Sequence, residues 1–429
     1  MSGASNSGAA LGSLLRQIIV WVVFAAVVVV LPHLFTSGSS ISMMSQMGVF
    51  ILFALSYNML LGEAGMLSFG HAVYFGIGGF FTLHAIRAVN DGVFSWPLEL
   101  MPLVGGAGGL LFGIIFGSVS TRRAGVTFAM ITLGIGSLVE SSANMFTDFF
   151  GGESGISANR VTEVTLLPFS YGPQIQVYYL IGAWTVFAAL LMYLLTRTPL
   201  GRISNAVRDN PERAQFVGYN TTMARFVQFA LSGFFAGIAG GLFAIMFEIM
   251  TASNVGLIQS GSVLLMTFIG GVGVFFGPII GAVLITYMQT ALSGFSEGWI
   301  LYFGLLFVFM VMYAPMGIAG VIVAHFAPWR AGQLHRLIPV YALAVVPAML
   351  ALAGLVSVIE MGYHLSLAYD PSQPIDLFYM QVNVTRLLPW VVAVVVLAVG
   401  VALLKWVSGR IRERWNDINK TTERPEAAR

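Results

Sequence analysis

Between residues 17 and 407 the chain is divided into twelve apolar stretches that few charges interrupt: 17–35, 41–61, 64–86, 98–118, 125–147, 176–196, 226–250, 255–271, 277–293, 299–315, 337–359 and 387–407. A helix needs about 20 mostly apolar residues to cross a bilayer, and it satisfies every backbone N–H and C=O within the segment. A chain patterned this way is expected to fold as an all-α, polytopic integral membrane protein of about 10–12 transmembrane helices. Composition agrees: 57% of the residues are hydrophobic and 9% are charged, where a soluble domain carries roughly 25% charge. Soluble globular, disordered and nucleic-acid-binding chains are excluded. The short pair 255–271 and 277–293 reads either as two spans or as a re-entrant hairpin. The first stretch follows Arg16 as a signal peptide would, but its apolar run is too long for one and further spans follow at once, so a retained span is expected.

Charge orients the helices. With the N-terminus inside and the spans alternating, Arg16, Arg122, Arg123, Arg197, Arg202, Arg208, Arg213, Arg225, Arg330, Arg336, Lys405, Arg410, Arg412, Arg414, Lys420, Arg424 and Arg429 all fall on the cytoplasmic side. Only Arg87, Arg160 and Arg386 fall outside, among Asp91, Asp148, Glu153, Glu163, Glu248, Glu297, Asp370 and Asp376. This is the positive-inside pattern, and both termini are expected in the cytoplasm. The expected division is an N-terminus 1–16, a core 17–320 with a cytoplasmic loop 197–225, an extension 321–407 with two further helices, and a polar tail 408–429.

Several chemistries lack their residues. There is no cysteine, hence no disulfide, thiolate metal site or cysteine nucleophile. Lys405 and Lys420 are the only lysines and neither follows glycine, so no P-loop cradles ATP. No His-Glu-x-x-His and no Gly-x-Ser-x-Gly occurs, which removes the usual zinc-protease and serine-hydrolase signatures. No catalytic residue, metal ligand or cofactor is assigned.

Three segments carry more than apolarity. In 62–79, six glycines (62, 65, 70, 76, 78, 79) accompany Glu63, Ser68, His71 and Tyr74. Glycine permits close helix approach or local unwinding beside a cavity, and polar groups at membrane depth face a bundle interior or a path. A small-residue helix interface accounts for the same composition. In 270–281, five glycines and Pro278 break the chain between two short helices. Gly62/Gly65 and Gly270/Gly273 share a spacing in opposite halves, a pattern expected of an internal repeat with a translocation path between its halves. In the loop, Asn210 suits an N-cap, Pro211 the first helical position, Glu212 the N-terminal dipole and Gly218 a C-terminal stop. A short capped helix over 211–217 follows. Its Phe216 and Val217 would face water unless a partner docks there; an ordinary connector is the plainer alternative.

Taken together and in order, these segments resemble the branched-chain amino-acid permease family of bacterial ABC importers, and within it the longer M-type permease. Gly62, Gly65, Ser68, Gly70, Ala72, Tyr74 and Gly78 resemble its Gly-x-x-Gly-x-x-Ser-x-Gly-x-Ala-x-Phe-x-x-Gly-Ala-Tyr stretch, with Tyr74 for phenylalanine and Gly79-Phe80 for Ala-Tyr. Gly201, Arg202, Ala206, Arg208, Asp209 and Asn210 follow its loop pattern, and Ala236-Gly-Ile-Ala-Gly240 its Ala-Gly-x-Ala-Gly. Gly270, Gly271, Gly273, Gly277, Pro278, Gly281 and Ala282 follow its glycine break. The resemblance spans roughly 40–320. It implies a second homologous permease subunit, two cytoplasmic ABC ATPase subunits, a periplasmic substrate-binding protein and an inner-membrane location amid membrane lipid, with no nucleic-acid partner. In ABC importers a Glu-Ala-Ala-x-x-x-Gly loop docks the ATPase; Glu212, Ala214 and Gly218 keep that spacing and Arg213 replaces the middle alanine. Arg208, Asp209, Asn210, Glu212, Arg213, Ala214 and Gly218 are thus the coupling candidates. Glu63, Ser68, His71, Tyr74, Gly270 and Gly273 are the path candidates.

Glu140, Asn144 and Asp148 lie at i, i+4 and i+8 on one helix face, a candidate outer vestibule or plain interface residues. The same family carrying urea, short amides or another small organic solute is the nearest alternative function. An ion-coupled carrier would want ionisable groups at mid-membrane, and a membrane acyltransferase would want a His-x-x-x-x-Asp, which is absent.

Overall fold

Glycine breaks and proline-containing turns cut the apolar sequence into sixteen helices in the computed structural model, which describes residues 3–423 except 297, 368–369, 371 and 379. In chain order they are α1 (Gly3–Leu34), α2 (Gly38–Asn58), α3 (Ala72–Asn90), α4 (Met101–Ser120), α5 (Val126–Met145), α6 (Thr147–Phe150), α7 (Gln174–Arg197) and α8 (Pro199–Asp209). There follow α9 (Pro211–Phe216), α10 (Thr221–Phe247), α11 (Leu257–Gly270), α12 (Gly277–Leu292), α13 (Trp299–Tyr313), α14 (Gly317–Arg330), α15 (Ile338–Leu367) and α16 (Leu387–Glu423). Glu297, Arg424 and Arg429, placed above by charge, lie outside the described residues.

All twelve apolar stretches contain a helix. Among the described residues nine helices are long and apolar enough to span a membrane, and α13 with α14, bent by 40°, make a tenth. The chain is therefore an all-α multi-pass membrane protein. The stretch 64–86 departs from expectation: α2 ends in one π turn, Met59–Glu63, residues 64–71 are irregular, and α3 starts only at Ala72. Three helices were not foreseen. α6 is a single turn, α8 is short and amphipathic, and α14 contains Pro328.

Contacts divide the chain into two units: Met1–Tyr287 with Pro315–Ala319, and Met288–Ala314 with Gly320–Arg429. Residues 288–314 thus cluster with the C-terminal segment rather than with the core expected to run to 320.

The first unit is built around α10, which packs along α3, α4 and α2. Small residues make this possible. A methyl group at Gly240 would collide with the carbonyl of Phe75, and one at Gly237 with that of Gly105, so the Ala-Gly-Ile-Ala-Gly run is a close-packed helix interface. α1 leans on α7, where the Tyr178 hydroxyl donates to the Val28 carbonyl at 2.6 Å. β1 (Ile156–Ser157) pairs antiparallel with β2 (Ile249–Met250), placing Ile156 opposite Met250.

In the second unit α15 and α16 form a tight pair: a Cβ added at Gly354 would stand 2.5 Å from the Leu397 backbone nitrogen, and one at Gly400 would strike the Ala351 backbone. β3 (Ile375–Leu377) and β4 (Met380–Val382) pair antiparallel, Ile375 opposite Val382, over a small core of Met361, Val384 and Ala393.

Candidate functional site

The end of α2 is where the three sequence segments meet. Backbone groups of the irregular stretch 64–71 find partners at membrane depth, where water cannot supply them. The Tyr57 hydroxyl donates to the Ser68 carbonyl at 2.9 Å, Phe69 N–H to Thr132 Oγ1 at 3.2 Å, and Gly70 N–H to Ser68 Oγ at 3.4 Å. Ala72 N–H, an orphan donor at the start of α3, finds Ser260 Oγ of α11 at 3.0 Å. Gly65 has φ +67°, a left-handed conformation that side chains disfavour, and Arg208 Cγ lies 2.8 Å from where its Cβ would stand.

Ser68, His71 and Tyr74 are fully buried. His71 stacks on Phe53 with centroids 5.6 Å apart, meets Tyr57 and Tyr74 edge-on, and is held through Nε2 by Ser56 Oγ at 3.0 Å. Its Nδ1 has no hydrogen-bond partner, and neither has Asn58 Oδ1 one turn before Gly62. Glu63 is only half-buried and accepts from Asn205 Nδ2 of α8 at 2.7 Å.

The second glycine segment forms a helical hairpin. Its arms have 14 and 16 residues, about 21 and 24 Å at 1.5 Å per residue, short of a hydrocarbon core of about 30 Å. The arms pack backbone to backbone: a Cβ at Gly270 would strike the Gly277 carbonyl, and one at Gly281 the Met266 carbonyl. Gly271 sits at φ +117° against Met316, while a Cβ added at Gly273 would meet only the Met316 methyl, at 3.7 Å. The Val272 carbonyl lies 2.9 Å from where a Gly62 Cβ would be, so the two breaks touch. They differ in shape, one an irregular passage and the other a hairpin turn.

The loop 197–225 is an elbow of two helices. Thr198 caps α8 by accepting from Gly201 N–H at 3.4 Å, and Asn210 caps α9 by accepting from Arg213 N–H at 2.9 Å. Pro211 opens α9 and Glu212 sits in its first turn. Tyr219 N–H bonds Ala214 C=O and Gly218 N–H bonds Gln215 C=O, with Gly218 at φ +95°, the paired bonds of a Schellman stop. The capped helix lies where the sequence put it, one residue shorter. Ala214 is buried with Val207 and Ala224, whereas Glu212, Arg213 and Asp209 are exposed and Phe216 is 91% exposed. Arg208 pairs with Asp209 at 2.9 Å and also donates through Nη1 to the carbonyl of Gly62. The elbow is therefore bonded directly to the first glycine break.

At the C-terminal ends of α3, α5 and α10, the side chains do structural work that sequence reading missed. Glu140 reaches from α5 to the start of α11, accepting from Leu257 N–H at 3.3 Å, and Asn144 donates to the Glu140 carbonyl at 3.2 Å. Arg160 donates to the carbonyls of Tyr171 (2.8 Å), Met246 (3.0 Å) and Gly172 (3.2 Å) and faces Glu248 at 3.9 Å. Arg87 donates to Ser157 C=O at 2.8 Å. Two of the three arginines that broke the charge pattern are thus staples of one loop. Glu99 anchors the same loop, accepting from Leu166 N–H, Leu167 N–H and the Tyr171 hydroxyl. Burial and the adjacent Glu99 carboxylate push the Tyr171 phenol above its ordinary range. The signal available in sequence was the exceptional placement of Arg87 and Arg160. Among the described residues, no three His, Asp or Glu side chains gather as metal ligands would.

Comparison with known proteins bears on what this geometry serves. The family model described as "branched-chain amino acid transport system / permease component" matches residues 39–316. The high-affinity branched-chain amino acid transport system permease protein LivM of Salmonella typhimurium is 28% identical over 331 residues, covering 72% of this chain and 76% of the relative. LivM of Escherichia coli K12 is 26% identical with the same coverage. The autoinducer 2 import system permease protein LsrC of Salmonella typhi is 35% identical over 126 residues, 26% of this chain and 34% of the relative. No solved structure matches the chain. The family match covers the whole region from α2 to the break before α14, and with it both glycine breaks and the capped elbow: the chain belongs to the branched-chain amino acid transport permease family.

Proposed function

We propose that the chain is one of two permease subunits in an ATP-driven importer of branched-chain amino acids in the bacterial inner membrane. A second, homologous permease completes the translocation path. Two cytoplasmic ATPases dock on the α8–α9 elbow, a periplasmic binding protein delivers the substrate to the opposite face, and both termini lie in the cytoplasm.

The observation that carries this reading is the bond from the elbow to the glycine break. Arg208 holds the Gly62 carbonyl and Asn205 holds Glu63, and Gly62 touches the Val272 carbonyl of the second break. A push on Glu212, Arg213 or Ala214 reaches the seam between the breaks through three contacts. Discrete packed elements with two arrangements are what transmit such a displacement. ATP binding closes the ATPases, the elbow follows, and the seam carrying Glu63, Ser68, His71, Tyr74, Gly270 and Gly273 parts. Opened, it offers His71 Nδ1 and Asn58 Oδ1, both without partners here, as acceptors for a substrate's ammonium. Glu140 and Asn144 border the receiving vestibule.

The test is uptake of labelled leucine into vesicles containing the chain and its co-encoded partners, with and without ATP, with urea and short amides as competitors. ATP-dependent uptake that ignores the competitors supports the reading. ATP hydrolysis without leucine uptake moves the substrate to another small solute, the reading favoured by similarity to a relative named for autoinducer 2 import. Uptake that follows an ion gradient and ignores ATP overturns the importer.

A further inference from the structure

The second unit holds a cavity that the transport reading does not use. Its volume is about 1320 Å³, beyond the roughly 300–1,000 Å³ of ordinary small-molecule pockets. It is lined by α13, α15 and α16, the end of α12, and β3. Along α15 it runs from Ala348 to Leu367, about 28 Å at 1.5 Å per residue.

The lining is divided by chemistry. Over most of its length it is apolar: Leu305, Phe309, Leu352, Leu397 and Val401. Near one end the polar groups gather. The Tyr302 hydroxyl donates to Glu360 Oε1 at 2.6 Å, His364 bonds the Gln373 carbonyl at 3.1 Å, and Tyr363 and Asp376 stand beside them. Two carboxylates line this end, and among the described residues no lysine or arginine lines the cavity.

An apolar lining of this extent does not hold water, and its walls are membrane helices, so acyl chains are the apolar matter available to fill it. The carboxylates select the headgroup. They repel an anionic one and hydrogen-bond an ammonium, a charge-assisted contact stronger than a neutral one.

We propose that this cavity binds one phospholipid bearing a primary ammonium headgroup, its acyl chains along α15 and its ammonium at Glu360 and Asp376. The end of α12 and α13 lie within the family match, whereas α15, β3 and α16, with both carboxylates, lie beyond its end at residue 316; the site does not depend on which solute the chain transports.

The experiment purifies the full chain, exchanges it into bilayer discs of phosphatidylethanolamine, phosphatidylglycerol or equal parts of both, and counts lipids retained in detergent by native mass spectrometry. The wild type is expected to retain one phosphatidylethanolamine, favoured over phosphatidylglycerol about tenfold, the equivalent of one charge-assisted hydrogen bond. Ala348→Trp, which fills the apolar end from an exposed position, should lose the retained lipid. The pair Glu360→Gln and Asp376→Asn should keep a lipid and lose the preference, and it carries the test if the tryptophan variant does not fold. Retention of neither lipid, equal retention of both by the wild type, or a partner protein's helix cross-linked into the cavity in the intact complex would each overturn the proposal.

Discussion

The Asn205 side-chain amide donates to Glu63 Oε2 at 2.7 Å and joins α8 to the turn that ends α2. These residues are 142 positions apart, and neither stands out from sequence as half of a pair. With Arg208 on the Gly62 carbonyl, α8 grips the first glycine break at two points. If the elbow receives force, this grip passes it on. Asn205→Ala and Arg208→Ala should therefore lower leucine uptake about tenfold, near the 1.4 kcal/mol expected for a lost buried or charged hydrogen bond, while ATP hydrolysis continues. Uptake per ATP hydrolysed is the quantity to measure; an unchanged ratio removes the grip from the coupling route.

Glu212 is exposed in the first turn of α9, with no side-chain partner among the described residues. Glu212→Lys should leave the protein inserted and folded but abolish ATP-driven uptake, since only the contact with a partner is reversed in charge. Normal uptake by this variant would remove the docking assignment.

Asn210→Ala takes away the acceptor for Arg213 N–H. Loss of such a cap costs about 1 kcal/mol, enough to raise amide exchange several-fold across Pro211–Phe216. Hydrogen-exchange mass spectrometry reads this directly, and protection equal to wild type would show that α9 is held by packing at Ala214 instead.

Gly240 faces the Phe75 carbonyl with no room for a methyl group. Gly240→Ala should cost about 1–3 kcal/mol through overpacking, seen as a lower melting temperature in detergent. Gly134 has open space around it, and Gly134→Ala should melt with the wild type or slightly above.

Arg160 forks over three carbonyls and Glu248. Arg160→Ala should make the loop 151–172 sensitive to proteases in vesicles exposing that face. Arg160→Lys should not restore protection, because a lysine cannot span the same acceptors. Full resistance of either variant would place the loop's stability at Glu99.

Much of this protein could be read along the chain. The bilayer demands about 20 apolar residues per helix and satisfaction of every backbone group within it, so each of the twelve apolar stretches contains a helix. Capping is equally local: Asn210, Pro211, Glu212 and Gly218 act within one turn of their own positions, and α9 forms where they say. Three matters were decided only by tertiary packing. The delayed start of α3 at Ala72 depends on Thr132 and Ser260, which accept backbone N–H groups from 63 and 188 positions away. The roles of Glu99, Glu140 and Arg160 depend on which backbone groups the neighbouring helices leave unpaired. The grip of Asn205 and Arg208 on Glu63 and Gly62 exists only because α10 folds the elbow back against α2. Apolar length and caps act over a few residues, so sequence carries them; a hydrogen bond between distant segments is set by packing, which no local pattern encodes.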